Sequence, residues 1–300
     1  MLKIACHSQY RHPLPEGHRF PMDKYELLPR QLLHEGTCTP GNFFEPEIPD
    51  EADILRAHRA GYLEDLKGGK LPARAMRKVG FPWSPGLVER ELLIAQGSIQ
   101  GSLYALEFGI AMNIAGGTHH AYSGRGEAFC LLNDQAIAAH ALLARGLARQ
   151  ILIVDLDVHQ GNGTAEIFAQ EPAVFTFSMH GKANYPFKKE ESDRDIALER
   201  GTGDRAYLAL LEAQLDELHR EVRPDFVFYL SGVDVLETDR LGTLALSMEG
   251  CRRRDEMVLQ WCHRHALPVQ CSMGGGYSPQ IRTIVEAHAN TYRAAQRLYF

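Results

Sequence analysis

The sequence lacks most of the features that would place it among the specialised protein classes. It has no CxxC pair. Its six cysteines, Cys6, Cys38, Cys130, Cys251, Cys262 and Cys271, are scattered, which argues against a zinc ribbon and against a disulfide framework. A reduced, cytoplasmic setting is therefore expected. No apolar run approaches the length that spans a bilayer. The stretch from Met1 to His7 turns polar too soon to read as a signal peptide. There is no basic excess: the formal net charge is -6, which argues against direct nucleic-acid binding through a broad basic surface. Internal repeats, low-complexity tracts and linkers are also missing, so residues 1–300 read as one domain.

What remains is ordinary for a soluble enzyme: 45% hydrophobic and 23% charged residues in 300. Short apolar runs alternate with helical patterns. Strands are expected at Lys3–His7, Ala111–Ala115, Ile151–Val154, Ala173–Phe177, Phe226–Leu230 and Val269–Met273. Helices are expected at Met22–His34, Asp50–Leu66, Leu87–Phe108, Asp134–Leu147, Ser247–His265 and Gln280–Tyr299. Another carries Tyr207, Leu208, Leu211, Leu215, Leu218 and Val222 on one face. Gly80–Gly86, with Pro82 and Pro85, reads as a rigid loop, and Gly181–Gly203 as a long irregular segment. The alternation predicts an α/β fold with a central, mostly parallel sheet and helices on both faces.

The stretch from Ile151 to Thr164 dominates. A buried strand runs into Asp155, Asp157 and His159, whose spacing by two predicts one shared face. Two carboxylates and an imidazole are costly to bury without a partner, and a divalent metal is the natural one. Asp234, at the end of a separate strand, offers a third ligand beside Asp157 and His159, and Asp239 competes for that role. Such a set suits zinc, with iron or manganese as alternatives. His119 and His120 follow Gly116 and Gly117 and suit acid and base roles beside a metal. Asp155 and Asn162 are available to orient them. Tyr277 follows three glycines and can donate to a developing oxyanion. His7, His12 and His18 sit in a proline-rich loop that reads as a surface rim rather than a metal site.

Five motifs then occur in a familiar order: Gly116 to Ala121 (GGTHHA), Phe129 to Asp134 (FCLLND), Val154 to Gly163 (VDLDVHQGNG), Ser231 to Asp234 (SGVD) and Gly274 to Tyr277 (GGGY). Together they resemble the zinc-dependent histone deacetylases of the arginase-deacetylase superfamily, which implies that family's single-domain fold with a central, mostly parallel sheet of about eight strands. The short N-terminal region and Asp239–Gly242 look most similar to the class IV branch and its bacterial relatives. The resemblance implies that Asp157, His159 and Asp234 bind zinc, and that His119 and His120 are the tandem catalytic histidines, paired with Asp155 and Asn162. It implies that Tyr277 polarises the scissile carbonyl and that Phe129 and Gly275 line an acyl-lysine tunnel. It further implies a potassium-type monovalent-cation site at Asp155, Asp157, His159, Ser178 and Met179, partly through backbone oxygens. Two positions depart from the family pattern: Asn162, where many class I enzymes have aspartate, and Ala128, where glycine is usual.

The expected activity is removal of acetyl or longer acyl groups from the Nε of lysine in a peptide or protein. An acetylpolyamine amidohydrolase is the alternative enzyme; the acidic run Lys189–Asp193 could hold a distal ammonium for it but reads first as a solvated charge run. A ureohydrolase fits less well, because its two-metal site needs more ligands. A non-catalytic acyl-lysine sensor is the alternative outside enzymology.

Overall fold

The computed structural model describes residues 1–300. In chain order the elements are β1 (Lys3–Ala5), α1 (Lys24–His34), β2 (Phe43–Phe44), α2 (Glu51–Ala57), α3 (Ala60–Lys67), α4 (Ala73–Val79), α5 (Pro85–Phe108) and β3 (Ile110–Asn113). Then follow α6 (Asp134–Ala144), β4 (Ile151–Asp155), α7 (Asn162–Phe168), β5 (Val174–Gly181), β6 (Arg194–Leu198) and α8 (Asp204–Val222). The chain closes with β7 (Phe226–Leu230), α9 (Met248–Arg264), β8 (Val269–Ser272) and α10 (Ile281–Tyr299).

The strands form one 8-stranded sheet in the order β2-β1-β3-β8-β7-β4-β5-β6. Every pairing is parallel. Every residue of β3, β4, β7 and β8 is buried, which is why these strands read as plain apolar runs. A continuous core of 79 buried residues surrounds them. Because all strands run one way, the loops after β3, β4, β5, β7 and β8 emerge along one edge. That edge is where open α/β sheets bind ligands.

Local chemistry explains the helix boundaries. Ser84 caps α5 by accepting from Leu87 N–H at 3.0 Å, with Pro85 as the first helical residue. Pro85 and Gly86 thus belong to the helix and not to the expected loop. Asn133 caps α6 and Ser247 caps α9 in the same way. The expected single helix over Asp50–Leu66 is two, broken where His58 turns extended and buries its ring. The segment Gly181–Gly203 is not wholly irregular, since it contains the edge strand β6. The short elements β2, α4 and α7 carry no pattern that marks them in the sequence.

Candidate active site

The expected shared strand face for Asp155, Asp157 and His159 is not what aligns them. β4 ends at Asp155, and the next residues form a loop folded by its own side chains. Asp157 N–H donates to Asp155 Oδ1 at 3.1 Å, and His159 N–H donates to Asp157 Oδ1 at 3.0 Å. Val158 N–H donates to Asp234 Oδ1 at 3.0 Å, which ties the loops after β4 and β7 together. Gly275 N–H donates to Asp157 Oδ2 at 2.8 Å. A Cβ on Gly275 would stand 1.9 Å from Asp234 Oδ2, so only glycine fits there.

Asp157, His159 and Asp234 converge, with one potential ligand atom from each lying within 4.8 Å of the others. His159 Nδ1 is 3.0 Å from Asp157 Oδ1 and 3.2 Å from Asp234 Oδ2. Asp234 Oδ2 is buried and makes no hydrogen bond. Burial, reinforced by the charge of Asp157, pushes the Asp234 carboxyl up to about 7. Burial opposes charge on His159, yet the two carboxylates around it outweigh that and raise its pKa to about 10. The cluster therefore crowds two carboxylates and an imidazole together and leaves one oxygen orphaned. Such a donor set fits a divalent cation. Asp239 does not join it: its carboxylate accepts from the N–H groups of Tyr277, Leu241 and Gly242 at 2.6, 2.8 and 2.9 Å.

The paired histidines arrive on the loop after β3. Asp134, in the first turn of α6, accepts from Thr118 N–H at 2.9 Å and from Ser272 Oγ at 2.9 Å, fixing that loop against β8. A Cβ on Gly116 would lie 2.4 Å from Asp134 Oδ2, and its φ of +86° also favours glycine. His119 Nδ1 is 2.6 Å from Asp155 Oδ2, and His120 Nδ1 is 2.6 Å from Asn162 Oδ1. Burial disfavours charge on both rings. For His119 the Asp155 carboxylate outweighs burial and its pKa rises, whereas His120 lies well below the usual histidine range.

One hydrogen-bond chain settles the His120 tautomer. Asn162 Nδ2 donates to Tyr122 Oη at 2.9 Å, and Tyr122 Oη donates to Glu190 at 3.1 Å. The Asn162 oxygen is thereby turned toward His120, where it can only accept. His120 Nδ1 must carry the proton, and Nε2 keeps its lone pair.

Tyr277, Phe129 and Gly275 line one pocket with Asp157, His159 and Asp234. Burial holds the Tyr277 phenol well above its usual pKa. Ala128 and Phe129 both adopt left-handed backbone, with φ of 44° and 68°. Their N–H groups are gripped by the carbonyls of Lys78 and Val79 at the end of α4. The Ala128 departure thus falls on a conformation that favours glycine. Ser178 sits beside Asp155 in the β4–β5 register, with Met179 next.

Several contributors carried no sequence signal. Lys24 and Arg90 are buried residues of the pocket lining, and Lys24 Nζ donates to Gly274 O at 3.0 Å. Tyr185 stands edge-on to His120 at 5.1 Å and hydrogen-bonds Glu127. Arg254, fully buried on α9, donates to Leu156 O at 3.2 Å and Gly232 O at 2.6 Å, bracing both metal-site loops from below. Two of the three acids of the Lys189–Asp193 run have partners: Glu190 accepts from Tyr122 and Asp193 from Thr176, while Glu191 is exposed. His12 and His18 brace their loop against Ser84 and Gly80.

A parallel sheet with a buried Asp-His-Asp group at its C-terminal edge, of a composition that could hold a metal ion, defines the class: an α/β protein with its polar cluster at the strand ends. The family model described as "Histone deacetylase domain" matches residues 18–292. Histone deacetylase 2 of Arabidopsis thaliana is 30% identical over 286 residues, covering 92% of this chain and 74% of that protein. A probable deacetylase of Archaeoglobus fulgidus is 30% identical over 301 residues, covering 92% and 81%. An uncharacterised protein of Picosynechococcus is 46% identical over 296 residues and matches 99% of both chains. Among solved structures, a histone deacetylase homologue complexed with SAHA superposes with a TM-score of 0.85 at 23% identity, covering 98% of this chain and 84% of that one. The chain belongs to the histone deacetylase family, whose members are deacetylase hydrolases.

Proposed function

We propose that the protein is a zinc-dependent lysine deacylase that hydrolyses the Nε-amide of an acyl-lysine side chain. The observation that carries this reading is the buried, unbonded Asp234 Oδ2 facing His159 and Asp157, with His120, His119 and Tyr277 around the same pocket. Asp157, His159 and Asp234 would hold the metal, zinc by preference and iron(II) as the alternative. That ion supplies Lewis acidity toward the amide carbonyl and the attacking water. Asp155, Asp157 and backbone oxygens of His159, Ser178 and Met179 would hold a monovalent cation such as potassium. Six free thiols support a cytoplasmic setting.

The chain's own groups then divide the work. His120 Nε2 takes the proton from water as its oxygen attacks the carbonyl carbon. Asn162 receives the Nδ1–H bond and is held in place by Tyr122. His119, whose charged form the Asp155 carboxylate favours, stabilises the negative charge that develops. Tyr277 donates its hydroxyl to the oxyanion. When the C–N bond breaks, the His120 imidazolium returns its proton to the departing lysine nitrogen. Phe129 and Gly275 form walls of the tunnel.

The pocket's free volume is about 40 Å³. That is room for only a few water-sized groups, at roughly 10–15 Å³ each, which supports acetyl over long acyl chains. The test is hydrolysis of matched lysine peptides carrying acetyl, butyryl, octanoyl and myristoyl groups, with N-acetylputrescine and N8-acetylspermidine alongside. Zinc-dependent cleavage falling with chain length is expected. Cleavage of the polyamines alone would move the function to small amines. Binding of acyl-lysine without turnover in the zinc-loaded protein would leave a sensor.

A further inference from the structure

Beside the pocket lies a second depression whose lining includes Arg19, Phe20, Arg240, Tyr277, Ser278 and Ile281. Phe20 and Tyr277 line the active-site pocket as well, so the two share a rim. The depression is the roomier of the two, about 380 Å³ against about 40 Å³. No carboxylate lines it.

Both arginines are exposed and unpaired. The contrast with nearby Arg11 is direct: that side chain is held by Asp23 and Glu26 at 2.9 and 3.0 Å. Arg19 lies over the ring of Phe129, 5.0 Å from its centroid. That contact steadies the guanidinium over the aromatic face while its N–H groups keep no protein acceptor, so they remain free for a planar one. Arg240 follows Asp239, whose carboxylate is turned to three backbone N–H groups and makes no ion pair with it. Two guanidinium groups without an ion-pair partner therefore stand at the rim, beside the apolar side chains of Phe20, Leu241 and Ile281.

We propose that Arg19 and Arg240 form a subsite for the carboxylate of an acidic residue flanking the acyl-lysine, so that the protein selects acyl-lysines in acidic sequence. The inference rests on the acyl-lysine reading above. A guanidinium edge takes a carboxylate through two parallel N–H bonds. The same pair repels a polyammonium chain, which separates lysine peptides from acetylpolyamines by charge at the entrance.

The experiment compares kcat/KM for acetyl-lysine peptides of one length carrying Asp, Gln or Lys at the two positions on either side. It is run on the zinc-loaded wild type, the Arg19→Gln/Arg240→Gln double variant and Arg240→Glu. At low salt the wild type should favour the Asp over the Lys peptides by about tenfold, the scale of two exposed charge pairs. The ratio should shrink toward unity near ~1 M salt. It should collapse in the double variant and tilt toward the Lys peptides in Arg240→Glu. A wild-type ratio near unity at low salt, with the peptides still hydrolysed, overturns the subsite and leaves the deacylase reading standing. A ratio that persists in the double variant also overturns it. Hydrolysis of acetylpolyamines with no peptide cleaved overturns both.

Discussion

Tyr277→Phe removes one hydroxyl from a buried pocket and leaves the ring's packing intact. Loss of an oxyanion donor should lower kcat by roughly 10²–10³, with substrate affinity changed only a few-fold. Near-wild-type turnover on the best acyl-lysine peptide would remove Tyr277 from the chemistry. Tyr122→Phe tests a residue that acts through another. Without the Tyr122 hydroxyl, the Asn162 amide is free to flip and offer its N–H₂ to His120. The expected result is a fall in kcat of roughly tenfold at unchanged KM, with the His120 ¹⁵N signals showing mixed tautomers. His58 makes a separate, pH-dependent prediction. Its Nδ1 bonds Tyr122 O at 3.1 Å, and its Nε2 accepts from Asn133 N–H at 2.9 Å, so the fold holds it neutral. Burial lowers its pKa to about 4. Between the ordinary histidine value and 4 the unfolded chain binds a proton that the folded chain refuses. Stability is therefore complete above about 6.5 and falls as pH drops toward 4, by up to about 3 kcal/mol. Urea unfolding of wild type and His58→Gln across that window should show the variant losing less. At this scale the sequence was most readable where chemistry sits on strand ends and glycine turns: His119, His120, Asp157, His159, Asp234 and Tyr277 all converge. Tyr122, Tyr185, Lys24 and Arg254 stayed hidden. Their partners lie far away in sequence, and tyrosine, lysine or arginine in isolation signals nothing.

Among the elements, α9 matters beyond its packing. Arg254 and Asp255 form a fully buried ion pair, with Asp255 also accepting from Tyr229 at 2.5 Å and Thr291 at 2.6 Å. Arg254 Nη1 donates to the loops after β4 and β7. Arg254→Met would leave Asp255 as an unpaired buried charge and free two loop carbonyls. A loss of about 3–5 kcal/mol is expected, read by urea denaturation, together with weaker zinc retention against a chelator. A variant as stable as wild type would show that α9 does not brace the site. The alternation of strands and helices was legible because inner parallel strands are short apolar runs and α8 keeps one apolar face. The failures share a cause. β6 is an edge strand with an alternating burial pattern that carries Arg194 and Asp195, and β2 spans two residues, so neither resembles a buried strand. The break at His58 follows from tertiary hydrogen bonds that local pattern cannot express.

For the whole molecule, the metal should contribute to stability as well as to activity. An ion that binds the folded chain alone stabilises it by about 4 kcal/mol at a thousandfold excess over its Kd. Chelation should therefore lower Tm by on the order of 10 °C, with recovery on adding zinc. Asp234→Asn should abolish most of that response, because it neutralises the ligand whose orphaned oxygen faces the site. The parallel sheet gathers loops from distant parts of the chain along one edge, and the chemistry depends on that gathering. The central claim is that a single ion at Asp157, His159 and Asp234 turns this edge into a deacylase. Its most direct test is titration of metal-stripped protein with zinc while hydrolysis of an acetyl-lysine peptide is followed. The account predicts no turnover in the stripped protein and a linear rise that saturates at one ion per chain. Full activity without metal, or none in the one-to-one zinc complex, would contradict it.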